Sequence, residues 1–242
     1  MARNTTLSFE FYPPQTQEGV TNLMQTAKEL NVYNPDFFSV TFGAGGSTKE
    51  KTLDTVLDLK KSGFNATPHI SCISSSKAEI KELLDKYKAN KINHLVALRG
   101  DNPSGSVNFG ELNYANELVN FIKSEMGDAF KIDVGAYPEV HPESETAKQD
   151  FINFKNKVEA GADSAITQFF YNVDAYFKFV DECQKNSINI PIVPGIMPIY
   201  NSKQLIRFAS NCGAEIPRWL KFKLEDYSDD LESLREFGVD FI

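Results

Sequence analysis

The chain has 242 residues, of which 41% are hydrophobic and 24% charged, a composition typical of a globular protein with an apolar core. Its net charge of −8, without any basic run, argues against nucleic acid or an anionic membrane surface as a partner. No apolar stretch reaches the ~18 residues of a membrane span, and no signal peptide is evident. Three widely spaced cysteines and three histidines show no metal-ligand pattern, so we expect a cytoplasmic protein with reduced thiols and no metal.

Short apolar segments alternate with amphipathic segments along the chain, which predicts seven strand–helix units in one domain spanning residues 1–242. The predicted strands are 6–11, 37–42, 65–70, 94–98, 131–137, 164–170 and 191–196. A helix is predicted after each strand, the last one from about residue 202 to 210. The remaining stretch, 214–242, shows a further helical pattern but no eighth strand.

Seven successive strand–helix units with short connections are typical of parallel strands joined by right-handed crossovers. Such strands form either a (β/α)8 barrel or a doubly wound sheet. A doubly wound sheet usually has Gly-x-Gly-x-x-Gly after its first strand, where this chain has Glu-Phe-Tyr-Pro-Pro. Polar residues lie at or near six strand ends: Glu10, Thr41, His69, Arg99 with Asp101, Tyr137 and Gln168. Because strand ends of a barrel converge on one mouth, we predict a (β/α)8 TIM barrel lacking its last strand–helix unit, closed by another chain or by a missing C-terminus.

The fourth predicted strand is an apolar run that ends in Arg99-Gly100-Asp101. If the strand conformation persists, Arg99 and Asp101 point to the same side. The pair then forms either the floor of a cofactor site or a structural salt bridge. The glycine-rich turn at residues 43–46, before a capping box at Ser47 and Glu50, is suited to a phosphate, although such turns are common.

Two candidate residues, Glu10 and Lys157, have ionisable side chains that could act in a functional site. Glu10 lies between Phe9 and Phe11, which would desolvate its carboxyl and raise its pKa toward the range of a general acid. The alternative is a strand-end glutamate paired with an arginine. Lys157 follows His141 by sixteen positions and could reach a pyrophosphate, or lie on a solvated helix face.

The other candidates are suited to planar ligands or to the core. The amide of Gln168 can bond a flat heterocycle at two edges. Gln204 and Phe208 share a helix face and could clamp a planar ring, although core packing also explains Phe208. A buried core histidine is the alternative for His69, and His94, at the opposite rim of the strands, is assigned no function.

Six segments, in this order, resemble the bacterial type of the methylenetetrahydrofolate reductase family: SFEFYPP at 8–14, VTFGAGG at 40–46, ALRGD at 97–101, AYPEVHP at 136–142, AITQFF at 165–170 and PGIMP at 194–198. The resemblance covers essentially the whole chain. It implies FAD as cofactor, NADH or NADPH as co-substrate, and reduction of 5,10-methylenetetrahydrofolate to 5-methyltetrahydrofolate in one-carbon metabolism and methionine synthesis. We also expect a homo-oligomer.

The resemblance also assigns roles to single positions. Glu10 matches the general acid that opens the five-membered ring, and Asp101 matches a catalytic carboxylate near flavin and pterin. The resemblance implies that the substrate is bound by Glu10, Asp101, Gln168, Gln204 and Phe208. It implies that the cofactor is bound by Thr41, His69, Arg99, Gly100, Asp101, Tyr137, His141, Asp150 and Lys157.

Two other functions remain open from the sequence. A related flavin barrel such as proline dehydrogenase would leave Glu10 without a purpose. A non-catalytic relative that depends on a partner protein is compatible with the absence of the eighth strand and helix, which in the family carry an arginine for the folate tail. The sequence does not distinguish NADH from NADPH.

Overall fold

The computed structural model describes residues 6–42, 46–101 and 110–242, with the side chains of residues 46–49 excepted. The predicted turn at 43–45 and the capping side chain of Ser47 therefore lie outside the described part of the chain, as do Asn102 and Pro103. The described residues divide into two compact units, Met1–Val134 with Glu159–Asp163, and Gly135–Val158 with Ser164–Ile242. In the described ranges, no helix has both the length and the apolar character of a membrane span.

The described residues contain seven strands and nine α-helices. The seven strand–helix units are those that the hydrophobic pattern predicts, and two further helices follow the last unit, where the pattern predicts one. The strands are β1 (Ser8–Phe11), β2 (Phe37–Val40), β3 (Ala66–Ser71), β4 (His94–Leu98), β5 (Lys131–Ala136), β6 (Ser164–Thr167) and β7 (Ile192–Val193). The helices are α1 (Gln17–Leu30), α2 (Gly46–Lys61), α3 (Lys77–Ala89), α4 (Ala115–Met126), α5 (Ala147–Glu159), α6 (Val173–Lys185), α7 (Ser202–Cys212), α8 (Arg218–Asp226) and α9 (Leu231–Phe241). Sheet order follows chain order from β1 to β7, and the described pairings are parallel.

The first unit is built around strands that are covered on both faces. All residues of β2 and β3 are buried, and so are the three central residues of β4. Continuous burial of this kind is typical of parallel strands with helices packed against the sheet. It explains why β2 and the centre of β4 are largely apolar in the sequence, whereas β3 also contains the buried polar residues Thr67, His69 and Ser71.

The second unit has its own apolar core. Phe169, Tyr171, Ile199, Leu205, Ala209, Leu220, Leu224 and Leu234 form this core, here called the C-terminal cluster. The hydroxyl of Tyr171 donates a hydrogen bond to the carbonyl of Met197 at 2.9 Å, which satisfies the polar tip of a buried ring. The cluster includes residues of α7, α8 and α9, whereas the sequence predicts one helix at about 202–210 and one further helix in 214–242.

The last two strands are shorter than predicted. β7 is limited to Ile192–Val193, because Pro191 and Pro194 flank it and have no N–H to donate. β6 ends at Thr167, whose hydroxyl accepts a hydrogen bond from the Gly195 N–H at 2.9 Å in place of a ladder carbonyl. A Cβ at Gly195 would lie 2.2 Å from the Thr167 carbonyl oxygen, so only glycine fits this close approach. In the fully described range 194–242 no eighth strand is present, as predicted.

Candidate active site

Glu10 and His69 meet in the first unit although one strand, β2, lies between their strands in the sheet. The carboxyl Oε2 of Glu10 lies 3.4 Å from Nε2 of His69. Ser39 of β2 stands in register with both Glu10 and Thr67, and its small side chain leaves room for the two longer side chains. The side chain of His69 is 7% exposed and that of Glu10 is 49% exposed, so the pair has one buried and one accessible member. A histidine, rather than the arginine of the alternative prediction, lies beside Glu10.

Burial acts on the two groups in opposite directions. Desolvation raises the pKa of Glu10 above its ordinary value. Burial lowers the pKa of His69 to about 4, although the negative charge of Asp133 acts against this shift. Both shifts favour the uncharged forms, a carboxylic acid and a neutral imidazole. Among the described residues, Nε2 of His69 has no hydrogen-bond partner.

The segment Arg99-Gly100-Asp101 does not continue β4. The strand ends at Leu98, and Gly100 has a φ of +88°, in the left-handed region. The prediction that Arg99 and Asp101 point to the same side depended on extended backbone through Gly100, and this condition is not met. Arg99 instead donates from Nε to the Gly100 carbonyl at 3.1 Å, and Asp101 is exposed.

Thr41 lies just after β2 and is held by its backbone. Its N–H donates to the carbonyl of Phe11 at 2.9 Å, and its own carbonyl accepts from the hydroxyl of Thr52 at 2.8 Å. The side chain is half-buried. These bonds fix the position of Thr41 relative to β1 and α2.

In the second unit, Lys157 lies among aromatic rings rather than on a solvated helix face. Its Nζ donates to the carbonyl of Gly135 and lies 5.9 Å from the ring centre of Tyr137 and 5.7 Å from that of Phe154. Burial lowers the pKa of Lys157 to about 8, while the carboxylate of Asp150 acts in the opposite direction. The arrangement presents a desolvated cation next to rings, which suits an anionic ligand with a planar part.

The predicted residues of the loop after β5 lie close to this lysine. The rings of Tyr137 and His141 meet edge to face with centroids 4.5 Å apart. Nδ1 of His141 accepts from the Glu143 N–H at 3.1 Å, which leaves Nε2 as the donor of the neutral ring. Asp150 accepts from the hydroxyl of Ser144 at 2.8 Å.

The same loop contains a strained residue and a buried carboxyl that the sequence analysis missed. Val140 has a φ of +75°, which is rare for a β-branched residue. Oε2 of Glu139 accepts from the Glu215 N–H at 2.8 Å, and Oε1 is buried without a hydrogen-bond partner among the described residues. Burial and the nearby charge of Glu215 raise the pKa of Glu139. The sequence signal for such a position is an acidic residue between a proline and an apolar residue at a strand end.

Three of the predicted substrate-binding residues, Gln168, Gln204 and Phe208, lie in the second unit and differ in position and exposure. Gln168 follows β6, its N–H donates to the Ala136 carbonyl at 2.8 Å, and with Tyr137 it lines a small, open hollow. Gln204 and Phe208 both lie on α7, as predicted. Gln204 is exposed, whereas Phe208 packs against the C-terminal cluster, as the core-packing alternative predicts.

His94, which was assigned no function, is the centre of a hydrogen-bonded network in the first unit. Its Nε2 lies 2.8 Å from Asp133 Oδ2 and its Nδ1 lies 3.1 Å from the hydroxyl of Thr67. A hydroxyl, an imidazole and a carboxylate in this order resemble a catalytic triad, but Thr67 is 1% exposed and therefore cannot meet a substrate. We interpret the network as structural.

Comparisons with known proteins cover the whole chain. The family model described as methylenetetrahydrofolate reductase matches residues 1–242. The 5,10-methylenetetrahydrofolate reductase of Buchnera aphidicola subsp. Schizaphis graminum is 42% identical over 236 residues, which are 97% of this chain and 80% of the relative. The protein of the same name from Escherichia coli K12 is 41% identical over 234 residues, 96% of this chain and 78% of the relative.

A solved structure supports the fold. An uncharacterized protein from Clostridium thermocellum, described as binding two copies of 5-methyl-5,6,7,8-tetrahydrofolic acid, superposes with a TM-score of 0.64 at 18% identity. The match covers 98% of this chain and 81% of that protein. At this identity the likeness concerns the fold alone.

Proposed function

Because the chain belongs to the methylenetetrahydrofolate reductase family, we propose that it reduces 5,10-methylenetetrahydrofolate to 5-methyltetrahydrofolate, with FAD as cofactor and NADH or NADPH as electron donor. The observation that carries the proposal is Glu10, an accessible carboxyl whose neutral form is favoured beside a buried histidine. A raised pKa brings such a carboxyl closer to the range in which it can act as a general acid. A proline dehydrogenase would have no use for it.

The groups of the second unit fit FAD. The ammonium of Lys157 is desolvated and donates to the carbonyl of Gly135, and a diphosphate would add to the carboxylate of Asp150 a further negative charge that stabilises its charged form. We propose that FAD is held by Thr41, His69, Arg99, Gly100, Asp101, Tyr137, His141, Asp150 and Lys157. When bound, FAD would accept a hydride from the nicotinamide and pass it to the one-carbon unit.

The protein's own contribution is proton transfer and charge stabilisation. Opening the five-membered ring of the substrate requires a proton on the departing nitrogen and leaves a cationic iminium. Glu10 would supply the proton from its acid form, and the exposed carboxylate of Asp101 would favour the cation electrostatically. Gln168, Gln204 and Phe208 would contact the folate. Assigning opposite protonation states to the two carboxyls separates their roles.

Asp101→Asn should keep the fold and the flavin but slow the folate half-reaction by a factor on the order of 10². The amide keeps the shape of the carboxylate and loses the charge that favours the iminium. Stopped-flow absorbance at the flavin band, with NADH and then with methylenetetrahydrofolate, measures the two half-reactions separately. Equal slowing of both half-reactions would contradict the role.

Lys157 should make FAD binding depend on pH. A diphosphate stabilises the charged ammonium, so the affinity for FAD is fully present below the pKa of free Lys157, about 8, and declines as pH rises through it. Titration of the FAD-free protein with FAD between pH 6.5 and 9.5, followed by flavin fluorescence, measures this decline. Lys157→Arg is the matched control, because a guanidinium stays charged throughout and should flatten the profile. A wild-type affinity that stays constant over this range would remove Lys157 from the diphosphate site.

The activity itself is tested by a pair of flavin measurements. The purified protein loaded with FAD should be bleached by NADH or NADPH and reoxidised by methylenetetrahydrofolate. The oxidised product of proline should not reoxidise it. The reverse acceptor preference would overturn the proposed substrate, and a protein that binds no FAD would overturn the proposed cofactor.

A further inference from the structure

We propose that His69 is a positioning residue for Glu10, and that its Nε2 accepts a hydrogen bond from the protonated carboxyl of Glu10. The proposal starts from an unsatisfied atom. Nε2 is buried, has no hydrogen-bond partner among the described residues, and faces Oε2 of Glu10 at 3.4 Å. Buried ring nitrogens are normally paired, so the carboxyl in front of this nitrogen is its natural donor.

The pair fits a bond between two neutral groups better than an ion pair. An ion pair would lower the pKa of the acid and raise that of the imidazole, whereas burial shifts both in the reverse sense here. The other charged group that acts on His69 is Asp133 on β5, and its effect is smaller than that of burial. A neutral ring whose proton is on Nδ1 has its lone pair on Nε2 and can only accept there.

The sheet explains why the two side chains can close this distance. Ser39 lies between their strands in register with Glu10, so no bulky side chain fills the space above β2. His69 is fixed by burial, while Glu10 keeps half of its side chain exposed. A small rotation of the glutamate shortens 3.4 Å to an ordinary O–H···N distance, as catalytic hydrogen bonds often do when a ligand binds.

The consequence for the reaction rests on the proposed function. In the bonded form, His69 holds the proton and the orientation of the Glu10 carboxyl until the folate nitrogen arrives. The nitrogen then receives the proton from Oε2, and Nε2 of His69 is left facing a carboxylate. Re-protonation of Glu10 from solvent restores the starting pair.

The test is a titration of Glu10 that needs neither cofactor nor substrate. The full chain, labelled with ¹³C at the glutamate carboxyls, is titrated by NMR, with Glu10→Gln used to assign the Glu10 signal. His69→Phe keeps the size and burial of the ring and removes the acceptor, so the pKa of Glu10 should fall by about one unit. His69→Gln offers an amide oxygen as acceptor and should restore most of the shift.

The outcomes separate this proposal from the proposed function. An unchanged or higher pKa of Glu10 in His69→Phe would show that burial alone sets it, and would overturn the role of His69. Should His69→Phe not fold, His69→Leu is titrated in its place, and an unchanged or higher Glu10 pKa there would overturn the role as well. If the shift is found but the wild-type protein loaded with FAD does not reduce methylenetetrahydrofolate, the positioning role stands and the proposed function fails. In an active enzyme, the alkaline decline of folate turnover should move to lower pH in His69→Phe, because less Glu10 is then protonated.

Discussion

Glu10→Gln is expected to abolish folate turnover while the protein still binds FAD and is still reduced by NADH or NADPH. The amide has nearly the shape of the carboxyl but cannot give a proton to the departing nitrogen, and general acid catalysis contributes about 10²- to 10⁴-fold in rate. The two half-reactions measured by stopped flow should therefore diverge, with only the second one lost.

A matched variant controls for the change of charge. Glu18→Gln removes a carboxylate from the first turn of α1, where the residue is exposed, and should leave both half-reactions near the wild-type rates. Folate reduction retained by Glu10→Gln would remove Glu10 from the acid role. Loss of both half-reactions would indicate damage to the flavin site instead.

His94→Ala is expected to lower the free energy of unfolding by about 3–5 kcal/mol, because it removes one partner of a buried carboxylate. The carboxylate is that of Asp133, whose side chain is 3% exposed and whose Oδ2 lies 2.8 Å from Nε2 of His94. Lys131 is 3.8 Å from the other carboxylate oxygen, but it is half exposed and is a weak substitute. Urea unfolding followed by circular dichroism measures the loss.

A double variant distinguishes a buried charge from lost packing. His94→Leu with Asp133→Leu removes both polar groups and keeps apolar volume, so it should recover much of the stability lost in His94→Ala. If His94→Ala costs less than about 1 kcal/mol, Asp133 is compensated by other groups, and the structural interpretation of the network is wrong.

The repeating units of the fold were predictable because burial on both sheet faces leaves a direct trace in the sequence. The buried strand β2 coincides with a largely apolar run, and the amphipathic helices show their 3.6-residue period. Strand β3 is equally buried although three of its residues are polar. The limits of β6 and β7 were not predictable to the residue. They depend on a hydrogen bond that the Thr167 hydroxyl accepts from the Gly195 N–H, and on the prolines that flank a two-residue strand. Hydrophobic periodicity registers neither of these features.

The site was predictable in its residue types and less so in its contacts. Polar residues at strand ends, such as Glu10 and His69, stand out against apolar runs, but their pairing depends on strand order and on a small residue at Ser39. The strand conformation assumed for Arg99 and Asp101 does not persist, because Gly100 has a left-handed backbone angle that periodicity does not register. The partners His94 and Asp133 are 39 residues apart, and no local pattern links them.

The left-handed backbone of Val140 has a consequence for how a ligand would be received. A β-branched residue in this conformation costs ~1–3 kcal/mol and persists only where its surroundings allow no alternative. The loop that carries Tyr137 and His141 is thus shaped during folding, with part of the molecule's stability used to keep it so. A ligand that binds there meets a surface already arranged, and loses little affinity to the ordering of the loop.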